Sequence, residues 1–251
     1  MNTQLHTQLR ELKLSGMAHA LQSQIEQAGT YEALSFLERL ALLLEQECLT
    51  RDQRKQDRLI RQARFKLAAC VQDIDYQHPR NITQSKIAHL AQGDWIERGQ
   101  NLLITGPCGS GKTYLACALG HNACLRGLSV RYYRLSRLLL ELTQAKADGT
   151  YHKQLMRLAK IQLLIIDDWG LETLKPAHRN DLMEIMDDRH GHTSTMMLSQ
   201  LPTDQWYTSI GDNTLADAIL DRLMHNAHRL LLKGESMRKI LNQLTHDEHL
   251  G

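Results

Sequence analysis

The chain is short of the residues that break or cross-link a fold. Four prolines and fifteen glycines in 251 residues argue against long disordered linkers. The five cysteines, Cys48, Cys70, Cys108, Cys117 and Cys124, are odd in number and form no C-x-x-C pair. They read as free thiols in a reducing compartment, which excludes a disulfide framework and a thiolate zinc site. The thirteen histidines are scattered, and His190, His192, His225 and His228 lack a Cys or Glu cluster at ligand spacing. No apolar run approaches the ~20 residues that a membrane span needs, and Met1 to Arg10 has no signal-peptide core. A soluble, cytoplasmic protein without a membrane partner is expected. Net charge is only +2, so overall charge does not demand a nucleic-acid partner, and local charge must decide.

One short stretch carries the clearest chemistry. Residues 106–113 read Gly106-Pro107-Cys108-Gly109-Ser110-Gly111-Lys112-Thr113, filling every fixed position of G-x-x-x-x-G-K-[ST]. Leu102-Leu103-Ile104 precedes it and a helix-forming run from Tyr114 to Leu125 follows. That is the strand–loop–helix setting of a phosphate-binding loop. Its glycines let backbone N–H groups turn inward around phosphates, and the helix N-terminus adds partial positive charge. Lys112 is expected to reach the β/γ-phosphates and Thr113 to ligate Mg2+. A second motif begins at Ile161 and ends in Asp167-Asp168, 55 residues after Lys112. Its apolar run reads as a strand buried on both faces, with its carboxylates at the edge where α/β ligands bind. Asp167 is expected to hold Mg2+. Asp168 is placed to polarise the attacking water, unless it is a turn residue before Trp169-Gly170.

Two regimes divide the chain. Residues 1–71 hold no proline and only Gly16 and Gly29, and read as a small helical domain that binds DNA or a partner. Its second helix is expected from about Tyr31, with Leu34, Leu37, Ala41, Leu44 and Cys48 on one side. Arg51 to Lys66 has seven cations against Asp52 and Asp57. On one helix, Leu59, Ile60, Ala63, Leu67, Cys70 and Val71 share a side, and Arg51, Arg54, Lys55, Arg58, Arg61 and Lys66 share the other. Such a cationic face suits a phosphate backbone; Arg131, Arg134 and Arg137 are the alternative DNA contacts. Residues 72–99 read as a linker. From 100 to 251 strands and helices alternate, with strands near 102–105, 129–133, 163–167, 194–199 and 229–232, which implies a parallel sheet flanked by helices.

Strand four ends in Ser199-Gln200-Leu201-Pro202. If it lies between strands one and three, Gln200 is positioned to orient the nucleophilic water, with Ser199 as the alternative. Arg222, at a helix end, is the candidate to stabilise transition-state charge on a neighbour's nucleotide, and Arg238 the candidate to contact the γ-phosphate of its own chain. A surface ion pair is the plain alternative for each. With these residues in place the chain resembles the IstB branch of the AAA+ ATPases, the transposition helpers of insertion sequences, with DnaA and DnaC as relatives. The likeness rests on Gly-Pro-x-Gly-x-Gly-Lys-Thr, Leu-Leu-Ile-Ile-Asp-Asp-Trp-Gly, Ser-Gln-Leu-Pro, Asp-Arg-Leu before the last strand, and Leu-Lys-Leu-x-Gly-Met near the start.

The resemblance implies an ATP-dependent homo-oligomer that engages double-stranded DNA and stimulates a cognate transposase. It implies Walker A at Lys112 and Thr113, Walker B at Asp167 and Asp168, sensor one at Gln200, an arginine finger at Arg222 and sensor two at Arg238. A DnaC-like helicase loader is the second reading. Two departures from the AAA+ pattern stand out. Asp168 replaces the usual Glu, one methylene longer, so slow turnover is expected. Only 19 residues follow strand five as read here, so no helical lid domain is expected.

Overall fold

The computed structural model describes residues 2–234, 236 and 237; Arg238 lies outside them. The chain divides into two compact units, Met1–Arg58 and Leu59–Gly251, a division inside a helix rather than near residue 71.

The first unit is helical: α1 (Asn2–Glu11), α2 (Ser15–Glu26), α3 (Ala28–Tyr31) and most of α4 (Phe36–Ala63). The chain breaks between α1 and α2, and α2 restarts at Ser15-Gly16. The new helix start leaves backbone N–H groups unpaired, and Glu47 of α4 accepts them from Gly16 at 2.7 Å and Met17 at 3.1 Å. A Cβ at Gly16 would lie 2.6 Å from the Thr50 hydroxyl and 2.8 Å from the Glu47 Cα, so only glycine allows this approach. The need to bring Glu47 inside sets the rotation of α4. The expected apolar side is therefore turned out, with Leu37 73% and Leu44 52% exposed, while Leu40 and Leu43 are half-buried beside buried Glu47. The chain leaves α2 at Gln27, and Gly29 lies within α3.

The second unit begins with the last turn of α4, where Leu59 and Ala63 are buried. The helix ends at Ala63, three residues short of Lys66, because Arg64 takes a left-handed φ of 53°. Leu67, Cys70 and Val71 therefore do not extend its apolar spine. Arg131 caps this end through a 2.9 Å bond to the Gln62 carbonyl. The stretch expected as a linker carries α5 (Gln84–Ala91) and α6 (Asp94–Glu97), and buries Ile74, Ile87, Leu90, Trp95 and Ile96. Apolar side chains at these spacings make it a covering layer of the core.

Next come β1 (Asn101–Thr105), α7 (Lys112–Leu125), β2 (Val130–Arg134), α8 (Leu135–Ala147), α9 (Tyr151–Ala159), β3 (Leu163–Trp169), α10 (Pro176–Arg189), β4 (Ser194–Ser199), α11 (Trp206–Ile210), α12 (Asn213–Met224) and β5 (Ala227–Leu231). The strands form one parallel sheet in the order β2-β3-β4-β1-β5. Alternate strand residues face opposite sides. Leu102, Ile104, Leu163, Ile165, Met196 and Leu198 pack with α7 and the covering layer. Leu103, Leu164, Ile166 and Met197 pack with α8 to α12. Burial on both faces explains why these strands read as unbroken apolar runs. Among the described residues, no lid domain follows β5, and no helix is long and apolar enough to cross a membrane.

Candidate nucleotide site

The parallel sheet brings the C-terminal ends of β1, β3 and β4 to one edge. Residues 106–111 leave β1 there and turn into α7. Gly111 adopts φ 93° at the helix N-cap, a conformation that favours glycine. The backbone amides of the first turn then face outward as an anion site. Lys112 is buried, and its Nζ donates to the carbonyls of Gly106 at 2.7 Å and Pro107 at 2.8 Å. Burial lowers its pKa, partly offset by Cys108, Asp167 and Asp168. Among the described residues the buried Ser110 hydroxyl has no hydrogen-bond partner, so the loop holds unused polar capacity of the kind a phosphate takes up.

Asp167 is 2% exposed. Its Oδ2 accepts from Thr113 Oγ1 at 2.8 Å and from Tyr132 OH at 2.6 Å, and Lys66 Nζ stands 4.0 Å away. Its Oδ1 accepts from the Asp168 N–H at 2.8 Å. The β3–β4 ladder breaks between Ile166 and Trp169, and Asp168 takes φ 66°. This irregularity turns the two carboxylates apart, as bulges beside active sites do. Asp167 points inward to Thr113, and Asp168 pairs with Arg134 at 3.5 Å. A hydroxyl and a carboxylate make a hard-oxygen pair that fits Mg2+, which takes few protein ligands and completes its shell with phosphate and water. Among the described residues no group of three His, Cys, Asp or Glu could hold a metal.

β4 does lie between β3 and β1. Gln200 follows it directly and is exposed at the same edge. Ser199 is committed elsewhere: its hydroxyl donates to the Trp169 carbonyl at 2.9 Å and accepts from the Leu201 N–H at 3.0 Å. Arg222 lies at the opposite edge. Asn101, the first residue of β1, donates to the Arg222 carbonyl at 3.1 Å, and the Arg222 guanidinium pairs with Asp187 at 2.7 Å. Arg51, Arg54, Lys55, Arg58 and Arg61 are all exposed on α4; Arg51 also pairs with Glu47 at 2.7 Å. Arg131 is buried, stacked 4.8 Å from the Tyr133 ring centroid, and spent on Gln62. The alternative DNA patch thus loses Arg131 as a surface cation.

The sequence profile of the family described as IstB-like ATP binding protein matches residues 7–245. The chain belongs to this family. An insertion-sequence ATP-binding protein of Sinorhizobium fredii is 47% identical over 231 residues, covering 92% of this chain and 94% of that one. An ATP-binding protein of insertion sequence IS1162 from Pseudomonas fluorescens is 49% identical over 198 residues, covering 78% and 85%. The fold is that of AAA+ domains. DnaI superposes with a TM-score of 0.57 at 20% identity, covering 73% of this chain and 98% of that one. The DnaC helicase loader gives 0.55 at 22%, covering 66% and 97%. This chain is thus a member of the IstB-like ATP-binding family, with a fold like that of AAA+ domains. Tyr132, Arg134 and Lys66, which complete its site, carry no motif. Strand order brings Tyr132 and Arg134 to the two aspartates, and the turn after α4 brings Lys66 to Asp167.

Proposed function

We propose that this protein is a cytoplasmic transposition helper: an ATPase that assembles on double-stranded DNA and stimulates a cognate transposase. The observation that supports this most is a phosphate loop whose Thr113 meets Asp167, in the same chain as a row of exposed cations on α4. The backbone amides of residues 106–111 and Lys112 bind the phosphates. Thr113 and Asp167 would hold Mg2+, which when bound supplies charge neutralisation on the phosphates. Asp168 accepts the proton of the attacking water, and Gln200 orients that water from the next strand. Arg222 serves the nucleotide of a neighbouring subunit, and Arg238 contacts the γ-phosphate in its own.

The cations at Arg51, Arg54, Lys55, Arg58 and Arg61 contact phosphates and read no bases. One subunit binds weakly, whereas an ATP-driven oligomer repeats the contacts along the duplex and gains avidity. Reversing the charge of Arg54, Lys55 and Arg58 should weaken DNA binding and flatten its dependence on salt, with ATP affinity unchanged. An unaltered salt slope would make the face ordinary solvated surface. The fold likeness to DnaC and DnaI favours the second reading, a helicase loader. Stimulation of a replicative helicase, with none of the transposase, would select it.

A further inference from the structure

Arg80 lies outside every nucleotide motif, in the covering layer between α4 and α5. It is 6% exposed. Its Nη2 donates to the Asp75 carbonyl. Its Nε is buried with no hydrogen-bond partner, and no carboxylate among the described residues pairs with it. The Asp75 carboxylate itself is taken by the Gln77 N–H and His78. The Asp75 charge acts on Arg80 only at a distance, and a buried cation with no direct ion pair is costly.

The position of this guanidinium indicates what it is for. A Cβ at Gly111 would lie 2.7 Å from Arg80 Nη1, so the group rests against the N-cap of α7. The backbone fixes it there. The Arg80 carbonyl accepts from Lys233 N–H at 3.1 Å, and Asn81 Nδ2 donates to the Leu231 carbonyl at 2.9 Å. Arg80 is therefore pinned between the exit of β5 and the phosphate loop. Gly111 is where the amides of such a loop meet the β-phosphate.

We propose that Arg80 is a nucleotide-binding residue, whose guanidinium donates to the β-phosphate of a bound nucleoside di- or triphosphate and gains there a direct ion pair. This rests on reading residues 106–113 as the nucleotide loop.

Two readouts with opposite signs test it. In Arg80→Met the affinity for ADP, measured calorimetrically on the full chain, should fall about 10- to 100-fold, the range for losing a charge-assisted contact. The melting temperature without nucleotide should stay level or rise, because the variant removes a buried charge that has no direct ion pair among the described residues. Arg80→Lys, which keeps the charge without the planar fork, should recover part of the affinity. Should Arg80→Met not fold, Arg80→Lys against the parent reads the same loss on a smaller scale. Parent-like ADP affinity in the variants overturns the proposal. So does a lower melting temperature without nucleotide, which would assign the guanidinium to the fold. Lys112→Ala separates the two readings: if it also leaves ADP affinity intact, the loop assignment has failed, and the fault is not in Arg80 alone.

Discussion

Replacing Arg222 with alanine should remove hydrolysis while sparing nucleotide affinity. β1 spans Asn101–Thr105, and Asn101 is bonded to the Arg222 carbonyl, whereas the phosphate loop starts after Thr105. Four strand rises separate the two ends, about 13 Å, more than an arginine side chain can span. Arg222 therefore cannot reach its own phosphates. As a finger for a nucleotide, the role proposed above, it would need a head-to-tail assembly, where one subunit's lower edge meets its neighbour's upper edge. An arginine supplied in this way contributes a factor of about 10³ or more to turnover. Its ion pair with Asp187 is at the surface, where Asp187 is 61% exposed, so its loss should cost only about 0.2–1 kcal/mol of stability. The assay is turnover per subunit in mixtures with Asp168→Asn, which retains its arginine but lacks the water-polarising charge. Both variants alone should be inactive. Mixed equally, about a quarter of random head-to-tail contacts join an intact site to an intact arginine, and activity should return in that proportion. Mixtures as inactive as the separate variants, or the same defect in a strictly monomeric preparation, would refute the reasoning.

Asp168→Asn alone should bind ATP as the parent does and lose most turnover, since Thr113 and Asp167 are untouched; unchanged single-turnover hydrolysis would count against the assignment. Tyr132→Phe takes one donor from the buried Asp167. It should cost about 0.5–1.5 kcal/mol in chemical denaturation, and shift the Mg2+ dependence of nucleotide binding about tenfold upward, as lost outer-shell partners do. Glu47→Ala leaves the Gly16 and Met17 N–H groups unpaired and should destabilise the first unit by about 1–3 kcal/mol. Burial raises the Glu47 pKa, but hydrogen bonds from Arg51, Met17 and Gly16 outweigh it, so the carboxyl titrates below its ordinary value. Its contribution is thus present at neutral pH and lost as pH falls below about 4.3, the unfolded value. Parent and variant should converge in acid melts, and a gap that persists there would contradict the role given to Glu47.

The features the sequence determined by itself are those set by neighbouring residues. The glycines and Lys112 of the phosphate loop, the apolar run before Asp167-Asp168 and the alternation of strand with helix are local, since backbone geometry and hydrophobic period act within a few residues. Helix α7 and strand β4 accordingly lie where their patterns place them. What faces what was decided only by the tertiary structure. Nothing near Glu47 shows that it turns inward, because its partners, Gly16 and Met17, lie thirty residues away. Residues 72–99 looked like a linker, since short apolar groups such as Ile87, Leu90 and Trp95 read as a layer only once a sheet lies beneath them. Strand order, which sequence pattern does not encode, sets β2 beside β3 and so brings Tyr132 and Arg134 to the two aspartates. It also sends Arg222 to the far edge, away from its own phosphate loop and beside Asp187.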